Sequence, residues 1–231
     1  MPIVVLISGS GSNLQVLIDE VDAGRLPVVI RAVISNRAAA YGLERAAAAG
    51  IPGRVIDHRG YESSQDFSRV LADCIDEYAP GLVVLAGFMR ILHSDLVARY
   101  RDRLINLHPS LLPKYPGLHT HRRVLEHGDR VHGASVHFVT EDLDAGPVII
   151  QGRIDVEPSD TPEILRERVQ AVEHRILPEA VRWFAQRRLT VDGGRVLLDG
   201  RVGPEQGLNP GMRPESNQDD NSPTNPTTVA Q

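Results

Sequence analysis

Apolar positions fall into two kinds of pattern along the chain. Ile3 to Ile7, Val28 to Ile34 and Leu82 to Ala86 are continuous, β-branched-rich runs, the mark of strands buried on both faces of a parallel sheet. Arg54 to Ile56, the run through Leu104 and Ile105, Ala134 to Val139 and Val148 to Ile150 read as further strands. Between them apolar residues recur at three and four. Leu14, Leu17, Ile18 and Val21 predict a helix, as do Leu43 to Ala49 before Gly50, Phe67 to Tyr78 before Pro80, Ser94 to Tyr100, and a segment ending near Gly128. Asp160-Thr161-Pro162-Glu163 is a helix-capping signal, and Ile164, Leu165, Val169, Val172 and Ile176 continue it. Pro178 is expected to kink or end that helix, with a shorter one carrying Val181 and Phe184. Leu189 to Val191 and Val196 to Leu198 flank Asp192-Gly193-Gly194 and read as a hairpin.

Strands alternating with helices predict an α/β fold: a doubly wound, mostly parallel sheet flanked by helices, with a C-terminal hairpin. One domain over residues 1–203 is expected. From Pro204 the composition turns to Pro, Asn, Ser, Asp and Thr, so residues 204–231 are expected to be a disordered tail.

Composition narrows the function classes. The 231 residues are 42% hydrophobic and 24% charged, ordinary for a globular protein, and carry a net charge of -5. No basic stripe emerges, which argues against nucleic acid as a partner. The one cysteine, Cys74, excludes an internal disulfide and a cysteine-based zinc site, and its helical stripe reads as buried packing. The opening run is too short and lacks the charge of a signal peptide or membrane anchor, so the expectation is a cytoplasmic protein with no membrane partner.

Asn106-Leu107-His108-Pro109 sets a carboxamide and an imidazole on one side of a strand end, since side chains repeat every two residues. This is either a hydrogen-bonded pair at a strand end or two polar groups aimed at one reacting atom. Ser8-Gly9-Ser10-Gly11-Ser12-Asn13 is a glycine-rich turn between strand and helix, with Ser12 or Asn13 able to cap the helix. It fails as a dinucleotide fingerprint, because Leu14 occupies the third small position and the second strand ends in Ser35-Asn36-Arg37 without an acid. A phosphate monoester is its best anion, against a plain tight connection. Phe88, Met89, Ile91 and Leu92 either pack under the next helix or wall a pocket for a flat ligand. In a doubly wound sheet these three stretches share the carboxyl edge. Asp142-Leu143-Asp144 is an acidic turn, solvated or brought beside His108. Gln170 and Glu173 share a helix face, either exposed or holding a sugar's hydroxyls. His119 and His121 lack acidic partners at ligand spacing, so no metal is expected. His132 and His137 read as structural or solvated.

Four motifs in order, Gly9-Ser10-Gly11-Ser12-Asn13-Leu14, Ala86-Gly87-Phe88-Met89-Arg90-Ile91-Leu92, Asn106-Leu107-His108-Pro109-Ser110-Leu111-Leu112-Pro113-Lys114 and Asp142-Leu143-Asp144-Ala145-Gly146-Pro147, resemble the phosphoribosylglycinamide formyltransferase family of purine biosynthesis. The likeness spans roughly residues 1 to 200. It implies a Rossmann-like formyltransferase fold and transfer of a formyl group from 10-formyltetrahydrofolate to the amine of glycinamide ribonucleotide, without metal. Gly11, Ser12 and Asn13 would then hold the substrate phosphate, and Gln170 and Glu173 its ribose. Met89, Arg90, Ile91, Leu92, Asn106, Glu141, Leu143 and Asp144 would line the folate pocket. Asn106, His108 and Asp144 would be catalytic, with Asp144 helping to keep His108 protonated. Family members often carry Arg near position 64, where this chain has Ser63-Ser64-Gln65, so contacts to the folate tail are expected to be weaker or differently placed.

The rivals are a formyltetrahydrofolate deformylase, expected with a further N-terminal domain, a methionyl-tRNA formyltransferase, expected with a C-terminal RNA-binding domain, and a non-catalytic folate- or phosphosugar-binding module. A homodimer is compatible with the sequence, which does not fix the oligomeric state.

Overall fold

The computed structural model describes residues 1–202. The expected tail at 204–231 lies outside the described residues. Among the described residues there are ten strands and six α-helices: β1 (Pro2–Ile7), α1 (Ser12–Asp22), β2 (Val29–Ser35), α2 (Gly42–Ala48), β3 (Gly53–Val55), α3 (Ser64–Asp76), β4 (Leu82–Leu85), α4 (Ser94–Arg99) and β5 (Leu104–His108) form the first part, where strands and helices alternate. Then come α5 (Thr120–His127), β6 (Val131–Phe138), β7 (Val148–Asp155), α6 (Pro162–Ala185), β8 (Leu189–Asp192), β9 (Arg195–Leu198) and β10 (Arg201–Val202).

The main sheet has the order β3-β2-β1-β4-β5-β6-β7. β1 to β5 run parallel, and β6 and β7 add antiparallel strands at one edge. Order reverses between β1 and β4, where a doubly wound sheet opens a crevice at its carboxyl edge. The ends of β1, β4 and β5 flank that crevice, so the glycine turn, the 87–92 loop and the 109–119 loop all leave from one edge.

The continuous apolar runs divide by parity between two cores. Ile3, Val5, Ile7, Val84, Ile105, Leu107, Val136 and Phe138 pack with α1 and α6 on one face. Val4, Leu6, Ala32, Ile34, Val83, Leu85 and Leu104 pack with α3 and α4 on the other, where Cys74 is buried as expected. Asn106 and His108 share the parity of Leu104 and lie past the end of that second core.

Three local expectations are corrected. Helix α6 runs unbroken from Pro162 to Ala185 with Pro178 inside it. The lost backbone bond is outweighed by burial of Ile176, Leu177, Pro178, Ala180, Val181 and Trp183 around that turn. Neither Ser12 nor Asn13 caps α1: Gly11 holds the cap position at φ 69, and no side chain caps the helix. The hairpin gains a short third strand, giving the sheet β10-β9-β8.

Candidate active site

Antiparallel pairing of β5 with β6 sets Asn106 opposite His137 and His108 opposite Ser135. Ser135 in turn pairs with Gln151 of β7. Five polar side chains thus face the same way at the end of the sheet, while Ile105, Leu107 and Val136 turn into the α6 core. This alternation is what a period of two requires.

Past β5 the chain cannot continue the sheet, because Pro109 offers no N–H. The loop is instead held by buried side chains. Ser135 Oγ donates to the Ser110 carbonyl at 2.6 Å and accepts from Leu112 N–H at 3.1 Å. Gln151 Nε2 donates to the Leu112 carbonyl at 2.8 Å and to Ser135 Oγ at 2.9 Å. Ser110 Oγ donates to the Lys114 carbonyl at 2.6 Å. The loop so fixed brings the Tyr115 carbonyl 2.9 Å from His108 Nε2, and Gly117 N–H donates to Asp144 Oδ2 at 2.8 Å.

Asp144 enters from the turn before β7. Its φ is 53°, a region that non-glycine residues seldom adopt and that recurs at functional sites. Two residues on, a Cβ on Gly146 would lie 1.8 Å from the Phe138 carbonyl oxygen, so only glycine lets the turn close this tightly onto β6. Asp144 Oδ2 lies 3.4 Å from His108 Nδ1, and Asp144 Oδ1 lies 3.7 Å from His137 Nε2 and 3.4 Å from Asn106 Nδ2. The three residues of the expected catalytic group are together.

Protonation follows from burial and partners. Burial raises the Asp144 pKa, but the polar groups packed against the carboxyl, the Gly117 N–H among them, outweigh it and hold the carboxyl below its usual range. For His108 burial is the larger effect and lowers its pKa, against the raising influence of the Tyr115 carbonyl and then Asp144. Asp144 thus pulls the His108 pKa upward, and desolvation of the ring outweighs that pull. The Tyr115 carbonyl can only accept, which assigns the proton to Nε2 and leaves Nδ1 bare beside the carboxylate. That is the form of a proton acceptor with a counter-ion ready.

His137, read from sequence as structural or solvated, is 1% exposed and touches two of the three residues. Its Nδ1 donates to the Phe138 carbonyl at 2.8 Å, and its Nε2 accepts from Asn106 Nδ2 at 3.1 Å. The signal that could have found it is the parity of Ser135 and His137 on β6, which has meaning only once the β5–β6 register is known. His132 is buried elsewhere, with its Nε2 3.0 Å from Nδ1 of His121. His121 is thus engaged by a second histidine, and its neighbour His119 starts α5 at φ 59.

The glycine turn and α6 meet through side chains. Gln170 Nε2 donates to Ser12 Oγ at 2.8 Å, and Asn13 Nδ2 donates to Glu173 Oε2 at 2.9 Å. A Cβ on Gly11 would lie 2.6 Å from the Gly42 Cα, so α2 packs directly against the turn. Arg45 of α2 donates to the Ser10 carbonyl at 2.9 Å from outside. Burial raises the Glu173 pKa, partly offset by Asn13. The Oδ1 of Asn13 is buried without a partner among the described residues.

The 87–92 loop divides the two readings of its apolar residues between them. Phe88 is buried in the second core, while Met89 and Ile91 are 57% and 68% exposed, and Leu143 of the acidic turn is 54% exposed. Arg90 and Glu141 are exposed and Leu92 is half-buried. The loop is tied to β1 because Met89 N–H donates to Ser8 Oγ at 2.7 Å, and Ser8 donates on to Asn36 Oδ1. Ser64 is exposed in the first turn of α3, which Ser63 caps through Asp66 N–H.

Comparison with known proteins gives a consistent answer. The sequence pattern of the formyl transferase family matches residues 1–181. The chain is 52% identical to a phosphoribosylglycinamide formyltransferase of Escherichia coli (strain K12), over 90% of this chain and 98% of that one. It is 40% identical to the enzyme of the same name from Haemophilus influenzae, over 89% and 97%. In three dimensions it is similar to the phosphoribosylglycinamide formyltransferase of Coxiella burnetii, with a TM-score of 0.87 at 54% identity, covering 90% of this chain and 98% of that one.

Proposed function

This chain belongs to the formyl transferase family, and we propose that it moves the formyl group of 10-formyltetrahydrofolate onto the amine of glycinamide ribonucleotide, a step of purine biosynthesis. The observation that carries the chemistry is the meeting of His108, Asp144 and Asn106 at the end of β5. The ribonucleotide would lie along the crevice, its phosphate on the backbone of Gly11, Ser12 and Asn13, where the uncapped start of α1 offers N–H groups and a favourable dipole. Gln170 and Glu173 reach the same turn and would take the ribose hydroxyls. Met89 to Leu92, Glu141 and Leu143 would hold the folate, whose flat ring suits the exposed apolar side chains.

In the reaction the amine attacks the formyl carbon, and negative charge collects on the formyl oxygen. Asn106 Nδ2 donates a hydrogen bond to that oxygen. His108 Nδ1, bare and facing Asp144, takes a proton from the attacking nitrogen directly or through one water. The imidazolium then lies between two acceptors, the Tyr115 carbonyl and the Asp144 carboxylate, which stabilise it. When the intermediate collapses, the carbon–nitrogen bond to folate breaks and the departing nitrogen receives the proton. No external energy source enters this balance.

The cytoplasm is the proposed location, and a homodimer the proposed assembly to be checked by light scattering. Incubation with 10-formyltetrahydrofolate, with and without glycinamide ribonucleotide, tests the function. Turnover that needs the ribonucleotide is expected. Turnover with water alone would favour a deformylase, and binding without turnover a carrier of folate.

A further inference from the structure

We propose that His137 is a positioning residue for this reaction, presenting a bare Nε2 that decides which end of the Asn106 carboxamide faces the reacting centre. The inference rests on the formyl transfer proposed above. A carboxamide has two ends of nearly equal size but opposite chemistry, one donating and one accepting. Turned by half a revolution, Asn106 would offer Oδ1 to a formyl oxygen that is gathering negative charge, and stabilisation would become repulsion.

The fold removes that choice. Asn106 and His137 are direct partners in the β5–β6 ladder, so their side chains emerge side by side on one face. The register of β6 against β7 shifts between Val136 and His137, a local irregularity of the kind that re-aims a side chain. The ring is 1% exposed, and the Phe138 carbonyl 2.8 Å from Nδ1 can only accept. In the neutral ring Nδ1 therefore carries the proton and Nε2 the lone pair. At 3.1 Å the lone pair requires a donor, and the NH2 end of Asn106 supplies it. The reverse orientation would set Oδ1 against both this lone pair and the Asp144 carboxylate, three acceptors with no proton among them. With one N–H spent on His137, the second is free for the formyl oxygen in exchange for its long contact of 3.4 Å to Asp144. Asp144 alone would be a weaker guide, because that contact exceeds ordinary hydrogen-bond length.

The test compares His137→Leu, His137→Asn and His137→Gln in steady state with both substrates. Gln can place an acceptor near Nε2, whereas Asn can replace only the donor to Phe138. The expected result is a loss in kcat of about 10- to 100-fold for Leu and Asn, with KM for either substrate changing less than about threefold, and recovery of most of the loss by Gln. In an Asn106→Ala background, His137→Leu should cost less than about twofold more, because the group it orients is gone. Equal loss in all three variants, or full additivity with Asn106→Ala, overturns the proposal in favour of plain packing. Should the variants fail to fold, nitrogen NMR of the wild-type histidine rings decides, since His137 protonated at Nε2 rather than Nδ1 is incompatible with it. Dependence of wild-type turnover on the ribonucleotide is measured alongside and reports on the formyl transfer separately.

Discussion

Nδ1 of His108 and Oδ2 of Asp144 face each other at 3.4 Å, each side chain 7% exposed, with no proton required between them at rest. The gap is longer than a hydrogen bond and close enough for strong electrostatic coupling. A neutral base beside a carboxylate kept charged is poised to gain a proton and to stabilise the cation formed.

Replacing either member should therefore cost turnover more than binding. His108→Ala is expected to lower kcat by about 10²- to 10⁴-fold, the usual contribution of a positioned acid–base group, with KM nearly unchanged. Asp144→Asn should lower it in the same direction. Steady-state kinetics decide, and near-normal turnover in both variants would show that this trio is not the reacting group.

The pH profile follows from the direction of the His108 shift. Burial lowers its pKa below 6.5, so the neutral base persists below that pH and the acid limb of kcat/KM should lie under the ordinary histidine value. Asp144 raises that pKa, so Asp144→Asn, which deletes the charge, should move the limb to still lower pH. A limb moving upward in the variant contradicts the assignment.

For the glycine turn, the expected signature is dependence on phosphate. Dephosphorylated glycinamide riboside should be used far less well than the ribonucleotide, chiefly through KM. Gly11→Ala should impair the same step, because φ 69 and the 2.6 Å approach to Gly42 leave no room for a methyl group. Equal use of the two substrates by the wild type would remove the phosphate role.

Gly146→Ala separates turn geometry from side-chain chemistry. A methyl group 1.8 Å from the Phe138 carbonyl oxygen forces the turn away from β6 and carries Asp144 with it. Turnover should fall toward that of Asp144→Asn while thermal stability drops by about 1 to 3 kcal/mol. Wild-type turnover from a stably folded variant would show that Asp144 need not be held here.

The His121–His132 pair predicts loss of stability in acid. Burial lowers each pKa to about 4 from 6.5. Between those values the unfolded chain binds more protons than the folded one, so stability is fully present above about pH 6.5 and is lost as pH falls toward about 4. For the 1% exposed His132 alone this is on the order of 3 kcal/mol. His132→Phe should flatten the fall in melting temperature between pH 6.5 and 5, and an unchanged slope would exclude the pair as its source.

Periodicity in the chain was enough to determine the alternation of strands and helices, the parallel sheet with its carboxyl edge, and the placing of Asn106 and His108 on one face. These features depend on local steric rules that act within a few residues. Pro178 misled for the same reason: the local rule disfavours proline in a helix, whereas the burial that overrides it comes from the sheet beneath. The roles proposed for Asp144, Gln170 and Glu173 rest on family resemblance, since an acidic turn and a polar helix face have bland local readings. Only the tertiary structure brought Glu173 to Asn13 and Gln170 to Ser12, and it alone brought His137 to Asn106. The direction in which the His108 pKa moves was likewise beyond the sequence, which names the residues beside it but not how much water they exclude. Register across an antiparallel ladder and depth of burial are properties of the whole packed chain, and here they set which atom is bare, which is protonated, and which way a carboxamide turns.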